Sequence, residues 1–300
     1  MTIQAEINSL KKERNAVVLA HNYERPEIQS IADFTGDSLE LARKAAGVDA
    51  DVIVFCGVYF MAQTAAILNP EKTVLIPDPD AGCAMADMVN AEDVRLLKRK
   101  HPFATVACYV NSTAEVKAEC DICVTSGNAE KILSSLPPDK EVIFVPDKNL
   151  GGYIAEKLGR NYILFDGCCP IHAKLESRLV DCARCRYPDA EVLVHPECGK
   201  AVRDKADRCL STGGMCEYVK SSPRKTFIIG TEVGILHRLE KENPDKKFIP
   251  LDREIVCSDM KKVTLENLRD CLADMKYKVH VDREVASRAR RSIEAMLKLS

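Results

Sequence analysis

Tryptophan is missing from this 300-residue sequence, and aromatic residues make up only 5% of it. So few flat rings argue against a surface that stacks nucleic-acid bases. Neither sign of charge is in excess. Lys and Arg number 43 against 45 Asp and Glu, a formal charge of −2, so no basic face points to nucleic acid. No apolar run approaches the roughly 20 residues that cross a bilayer. The opening residues, Met1-Thr-Ile-Gln-Ala-Glu6, lack the charged-then-apolar order of a secretory signal. These absences predict a protein of the cytosol with no nucleic-acid or membrane partner. Thiols stay reduced there, so disulfides are not the expected reading of the 14 cysteines. Some are candidate metal ligands, and the rest are candidate small buried hydrophobes.

What the sequence does have is a repeat. Its length allows a large core and more than one domain. Short β-branched runs alternate with helical patterns, the mark of parallel sheets with helical crossovers. A first unit reads strand 17–22, helix 26–30, short strand 31–34, helix 39–46, strand 51–56, helix 60–68 and strand 73–78, then a loop carrying Cys83. A second reads strand 105–111, helix 114–119, short strand 121–124, helix 129–136, strand 141–145, helix 150–158 and strand 161–166, then a loop carrying Cys168 and Cys169. A third reads strand 191–197, helical stretch 201–206, strand 207–210, a helix opened by Ser211-Thr-Gly-Gly214, strand 226–230, helix 233–241 and strand 246–251, then a loop carrying Cys257.

Subtraction supports one period. Phe55 to Phe144 is 89 and Phe144 to Ile229 is 85; Gly36 to Thr125 is 89 and Thr125 to Ser211 is 86; Cys83 to Cys169 is 86 and Cys169 to Cys257 is 88. The repeat does not choose between Cys168 and Cys169. The predicted fold class is α/β, with three repeated αβα units, each with a four-stranded parallel sheet, around a pseudo-threefold axis. The units are 1–86, 87–172 and 173–260. The tail 261–300 reads as helix, short strand and a basic helix running through Arg288-Ala-Arg-Arg291, a solvated helix expected to pack on the first unit.

In parallel α/β units, ligands gather beyond the carboxyl ends of the strands. His21, Asn111 and His195 follow the first strands of their units. Ser38, Ser126 and Thr212 stand at the starts of the helices after the second strands, and the cysteines follow the fourth. If the units face one another, these residues meet in one cleft. Helix starts with hydroxyls and free N–H groups bind carboxylate or phosphate, although ordinary capping explains any one of them. Three thiolates around an axis suit one metal centre. An iron–sulfur cluster with three protein thiolates keeps one iron open, and zinc with three Cys is the competing assignment.

The residues then resemble those of the quinolinate synthase family over nearly the whole chain. The carrying motifs are Ala20-His-Asn-Tyr23, Gly36-Asp-Ser-Leu39, Tyr109-Val-Asn-Ser-Thr113, Cys123-Val-Thr-Ser126, Gly167-Cys-Cys-Pro-Ile-His172, His195-Pro-Glu-Cys198, Ser211-Thr-Gly-Gly214, Gly230-Thr-Glu-Val-Gly234 and Cys257-Ser-Asp-Met-Lys261. The resemblance implies a transferase that condenses iminoaspartate with dihydroxyacetone phosphate to quinolinate, losing phosphate and two waters, in NAD biosynthesis. It implies a 4Fe–4S cluster on Cys83, Cys169 and Cys257, its Gly-x-Cys-Pro-x-His pattern selecting Cys169 over Cys168. An aspartate-oxidising enzyme would supply the imine. It further implies substrate contacts from His21, Ser38, Tyr109, Val110, Asn111, Ser126, His195, Pro196, Glu197 and Thr212. Tyr23 and Glu197, with His21, would be the catalytic groups. His172 divides evenly between a positioned structural imidazole and a functional one.

The surplus cysteines depart from what three ligands need. Cys120-x-x-Cys123 and Cys182-x-x-Cys185 lack the 15–20-residue separation of a zinc ribbon, so core packing is the preferred reading. A metal or redox carrier using the same thiolates and a zinc lyase are the competing functions. A carrier would need neither Tyr23 nor Glu197.

Overall fold

Three four-stranded, all-parallel sheets carry the fold, one to each repeat. The structure is a computed structural model that describes residues 2–300. In the first unit α1 (Ile3–Glu13), β1 (Ala16–His21), α2 (Pro26–Ile31), β2 (Phe34–Gly36), α3 (Ser38–Gly47), β3 (Val52–Cys56), α4 (Tyr59–Leu68) and β4 (Thr73–Leu75) form a sheet of order β2-β1-β3-β4. In the second, α5 (Ala91–Lys100), β5 (Thr105–Tyr109), α6 (Ala114–Glu119), β6 (Ile122–Val124), α7 (Ala129–Ser134), β7 (Val142–Val145), α8 (Lys148–Leu158) and β8 (Ile163–Leu164) give β6-β5-β7-β8. In the third, α9 (Ser177–Arg186), β9 (Glu191–Val194), α10 (Lys200–Arg203), β10 (Arg208–Cys209), α11 (Thr212–Ser221), β11 (Thr226–Gly230), α12 (Ile235–Glu242) and β12 (Lys247–Pro250) give β10-β9-β11-β12.

The central strands are unbroken apolar runs, as strands covered by helices on both faces must be. Every residue of β3 and β7 is buried. The repeat extends to single hydrogen bonds. Asp33 accepts the Val18 N–H at 2.8 Å, Asp121 that of Val106 at 2.8 Å, and Asp207 that of Val192 at 2.7 Å. Each carboxylate pins the start of the first strand to the loop entering the second. Helix starts are fixed by side chains accepting free N–H groups: Asp37 with Glu40 as a capping box on α3, Asp147 on α8 and Ser211 on α11. Gly151 lets α8 lie close on β7, since a Cβ there would sit 2.7 Å from Phe144 and Leu164 carbons.

Four differences from the sequence expectation stand out, the first being the short strand expected at 31–34, which lies instead at Phe34–Gly36 with Ile31 closing α2. Helices α1, α5 and α9, one leading into each unit, were not anticipated. The expected strands 73–78, 105–111, 161–166 and 191–197 stop earlier, at Leu75, Tyr109, Leu164 and Val194, and beyond them Asn111, His195 and Glu197 turn to line the cleft. The tail spans two units: α13 (Leu265–Asp274) packs on α1, Lys278 bridges Leu75 in antiparallel fashion, and α14 (Arg283–Leu299) packs mainly on α6 and β6 of the second unit. The final helix therefore touches α4 of the first unit, where the tail was expected, and packs more extensively on the second. Its Ile293 and Met296 join the second unit's core, and Ser292 donates to the Lys117 carbonyl at 2.9 Å. Among the described residues, no helix is long and apolar enough to cross a membrane.

Candidate active site

The carboxyl ends of all three sheets open on one cavity of about 270 Å³. Its wall takes His21, Tyr23, Ser38 and Cys83 from the first unit, Tyr109, Asn111, Ser126, Cys169 and His172 from the second, and His195, Glu197, Thr212 and Cys257 from the third. The expected convergence of the units is therefore present. Of the residues anticipated for the site, Val110 lies instead in a small adjoining pocket with Ser38 and Phe60. Pro196 turns its carbonyl towards the Arg203 guanidinium at 3.5 Å. Cys168, partly exposed, is not among the lining residues, and its N–H faces Met88 Sδ at 3.5 Å.

His21 and His195 occupy matching places and are built alike. His21 Nδ1 accepts the Tyr23 N–H at 3.1 Å, and His195 Nδ1 accepts the Glu197 N–H at 3.3 Å. An accepting Nδ1 puts the proton of a neutral imidazole on Nε2. Burial, with Lys261 and His195 nearby, lowers His21 to about 3. Burial, with His172 nearby and Glu197 opposing, lowers His195 to about 4. Both rings are thus neutral donors at pH 7. His195 Nε2 lies 3.2 Å from Ser126 Oγ across the boundary of the second and third units. Asn22 makes the corresponding link between the first and third, its amide donating to Thr212 Oγ1 at 3.2 Å. At the remaining boundary Asn111 Oδ1 is buried and, among the described residues, unpartnered.

A chain of hydrogen bonds runs through the wall. Tyr109 donates to Glu197 at 2.6 Å; Glu197 meets His172 Nδ1 at 2.8 Å; His172 Nε2 meets Thr231 Oγ1 at 2.7 Å; and Thr231 Oγ1 meets the Tyr23 hydroxyl at 2.5 Å. Burial alone would push Glu197 up, but His172, His195 and the Tyr109 hydroxyl hold it well below the usual carboxylate range. Burial and then the Glu197 charge push the Tyr23 and Tyr109 phenols above their ordinary value. An ionised Glu197 only accepts, which sets the His172 Nδ1–H towards it, and with a neutral imidazole the rest of the chain takes one polarity. His172 Nδ1–H donates to Glu197, Thr231 donates to His172 Nε2, and Tyr23 donates to Thr231.

The cysteine loops are held by carboxylates. Asp147 accepts the Cys169 N–H at 3.3 Å, and Glu232 accepts the Cys257 N–H at 3.1 Å. These two acids stand at matching positions after β7 and β11. Glu232 also takes Lys261 Nζ at 2.8 Å. Burial, chiefly, pushes Cys83 up to about 12 and raises Cys169 and Cys257 as well.

With three units meeting at their strand ends and three loop cysteines in the shared cavity, the chain can be set beside known proteins. The sequence model of the family described as NadA, quinolinate synthetase A protein, matches residues 5–298. The chain belongs to the quinolinate synthase family. The quinolinate synthase of Methanoregula boonei is 54% identical over 297 residues, 99% of this chain and 98% of that protein. That of Geobacter metallireducens is 52% identical over 296 residues, 99% and 97% of the two chains. That of Thermus thermophilus is 52% identical over 296 residues, 97% and 96%.

Sequence reasoning about a quinolinate synthase site missed Thr231, Asp147, Glu232 and Asn22. Thr231 and Glu232 lie within Gly230-Thr-Glu-Val-Gly234, a motif already singled out, and follow the third strand of their unit. That position was the available signal. His172, left open on sequence, stands in the middle of the hydrogen-bond chain and also touches Cys169 Sγ at 3.2 Å.

Proposed function

We propose that this quinolinate synthase family member condenses iminoaspartate with dihydroxyacetone phosphate to quinolinate, releasing phosphate and two waters, as a cytosolic step of NAD biosynthesis. One observation carries the reading: Cys83, Cys169 and Cys257 share a cavity with the Tyr23–Thr231–His172–Glu197 chain. An aspartate-oxidising enzyme is the natural source of the imine.

The donor set fits a 4Fe–4S cluster on the three thiols. Burial disfavours their thiolates, so a cationic centre is what would stabilise them. Among the described residues, Cys169, His172 and Glu197 form the one trio of His, Cys, Asp or Glu donors all within 4.8 Å of one another. Three thiolates on a single tetrahedral ion would sit about 3.8 Å apart. The wider spread of the three cysteines favours a multinuclear centre. When bound, such a cluster supplies an iron with an open position that acts as a Lewis acid on a substrate oxygen.

The chain's own groups bind and move protons. The neutral His21 and His195 rings offer Nε2–H donors, and Ser38, Ser126 and Thr212 offer hydroxyls, to carboxylate and phosphate oxygens. As Tyr23 takes a proton from substrate it passes its own to Thr231 and Thr231 passes one to His172 Nε2, and ionised Glu197 stabilises the imidazolium that results. Tyr109 supports Glu197 from the other side. The buried walls exclude water from a reactive imine.

The compact Cys169–His172–Glu197 trio favours a second reading, a mononuclear zinc lyase. Anaerobic purification followed by iron, sulfide and zinc analysis, with quinolinate formation from the two substrates, decides. Iron and sulfide near four per chain with turnover supports the proposal. A colourless zinc protein overturns the cluster, and an iron–sulfur protein that makes no quinolinate overturns the reaction.

A further inference from the structure

Thr212 Oγ1 accepts a hydrogen bond from Asn22 Nδ2 at 3.2 Å, and both side chains are almost wholly buried. The other end of the same amide is fixed. Asn22 Oδ1 accepts from Arg238 Nη1 at 2.9 Å, and a guanidinium can only donate. The amide therefore has no choice of direction: its oxygen must face Arg238 and its NH2 must face Thr212. Arg238 is itself held on α12 by Glu242, Nε to Oε1 at 2.8 Å, and reaches Glu40 of the first unit at 3.3 Å.

A hydroxyl has one proton and two lone pairs. Asn22 occupies a lone pair of Thr212, and among the described residues nothing accepts the Thr212 proton. Thr212 lines the cavity. Its O–H is thus left to donate into the cavity, and a ligand acceptor there completes it.

We infer that Arg238 and Asn22 are positioning residues that set the Thr212 hydroxyl as an obligate donor, so that this corner of the site selects an acceptor oxygen, carboxylate or phosphate, over a ligand hydroxyl or amine. The inference rests on the reading above, in which Thr212 touches substrate. Asn22→Asp reverses the polarity. Its carboxylate keeps Arg238 as a partner but presents an acceptor to Thr212, which then turns its proton away from the ligand.

The test is a double-mutant cycle on the anaerobically reconstituted enzyme, with quinolinate, whose carboxylates only accept, as the calorimetric probe. Thr212→Val and Asn22→Asp are each expected to weaken quinolinate binding by roughly 10-fold or more, the value of a hydrogen bond to a charged group. The double variant is expected to be no weaker than either single one. Repulsion from the new carboxylate alone would instead add to the Thr212→Val loss. Arg238→Met, which frees the amide to turn over, is expected to give a smaller loss in the same direction with the iron content unchanged. Additive effects, or an Asn22→Asp variant that binds like the parent while Thr212→Val does not, overturn the inference. So does a Thr212→Val variant that binds normally. A parent enzyme that neither binds nor forms quinolinate overturns the functional reading itself, a result the parent control reads separately.

Discussion

His172 joins the second unit to Glu197 of the third, Nδ1 to Oε2 at 2.8 Å, and its other nitrogen faces the Thr231 hydroxyl. An imidazole held between a carboxylate and a hydroxyl is a polarised proton acceptor. His172→Asn, Glu197→Gln and Tyr23→Phe are each expected to lower kcat by about 100- to 10,000-fold. Thr231→Val is expected to act in the same direction, since it cuts the chain without changing side-chain volume. Iron content and visible absorbance, measured on the same samples, should stay at parent level for Tyr23→Phe and Thr231→Val. A full-rate Thr231→Val enzyme would show that protons do not pass this way.

The three cavity cysteines carry a separable expectation. Cys83→Ala, Cys169→Ala and Cys257→Ala should each lose the cluster absorbance and most of the iron. Cys168→Ala should keep both, because Cys168 does not line the cavity. Cys120 and Cys123 are buried as expected, whereas Cys182 and Cys185 are exposed on α9 rather than packed in the core, and Cys182→Ala should match the parent. Retention of the cluster by Cys169→Ala would mean that Cys168 takes over as ligand.

Glu119 ties the tail to the second unit. It accepts from Arg288 of α14 at 2.7 Å and from Arg95 of α5 at 2.9 Å, with its own side chain only 8% exposed. Burial would raise its carboxyl, yet the two arginines hold it below the ordinary value. A lowered folded pKa gives stability that is complete above the unfolded value, near 4.3, and lost as pH falls through the folded one. Both arginines are part-exposed, so solvent screens the pair and about 1–2 kcal/mol is expected for Glu119→Gln at pH 7. Urea unfolding should show that gap at pH 7 and a smaller one below pH 4. An equal gap at both would assign the loss to packing instead.

The α/β repeat was readable because buried parallel strands leave short β-branched and aromatic runs bounded by turn residues, as in Val52-Ile-Val-Phe55 and Val142-Ile-Phe-Val145. The leading helices, which were not anticipated, did carry a signal: Ile3, Ile7 and Leu10 in α1, Val94 and Leu97 in α5, and Val180 and Ala183 in α9 lie at helical spacing and pack on the core. Two or three apolar positions among many charges make a weak 3.6-residue period, easily taken for a loop between units. Within the site, His21, His195 and the cysteines announced themselves by residue type at matching strand ends. Thr231, Asn22 and Asp147 are ordinary residues whose roles lie in a partner far off in sequence: Tyr23, Thr212 and the Cys169 N–H. The resting place of α14 on α6 is likewise a long-range fact, carried by Ile293 and Met296, with nothing nearby in sequence to mark it.

Gly234 offers a test of how closely Tyr23 must be held. It lies on the third unit against the backbone of the first, where a Cβ would stand 2.6 Å from the Tyr23 carbonyl oxygen and 2.7 Å from its carbon. Backbone atoms cannot turn aside as a side chain's end can, so Gly234→Ala must push the two units apart at Tyr23. The same Cβ would meet Glu232 Oε2 at 2.8 Å, which now accepts the Gly234 N–H at 2.7 Å. A displacement of about 1 Å at a proton-transfer group costs roughly 100-fold in rate, so kcat should fall by that order. Iron content should fall far less than kcat, because among the three cavity cysteines only Cys257 is tied to this turn, through the Glu232 carboxylate that accepts its N–H. Normal turnover by Gly234→Ala would mean that the boundary between the units yields without moving the phenol. The Tyr23–Thr231 contact would then be less exacting than its 2.5 Å length implies.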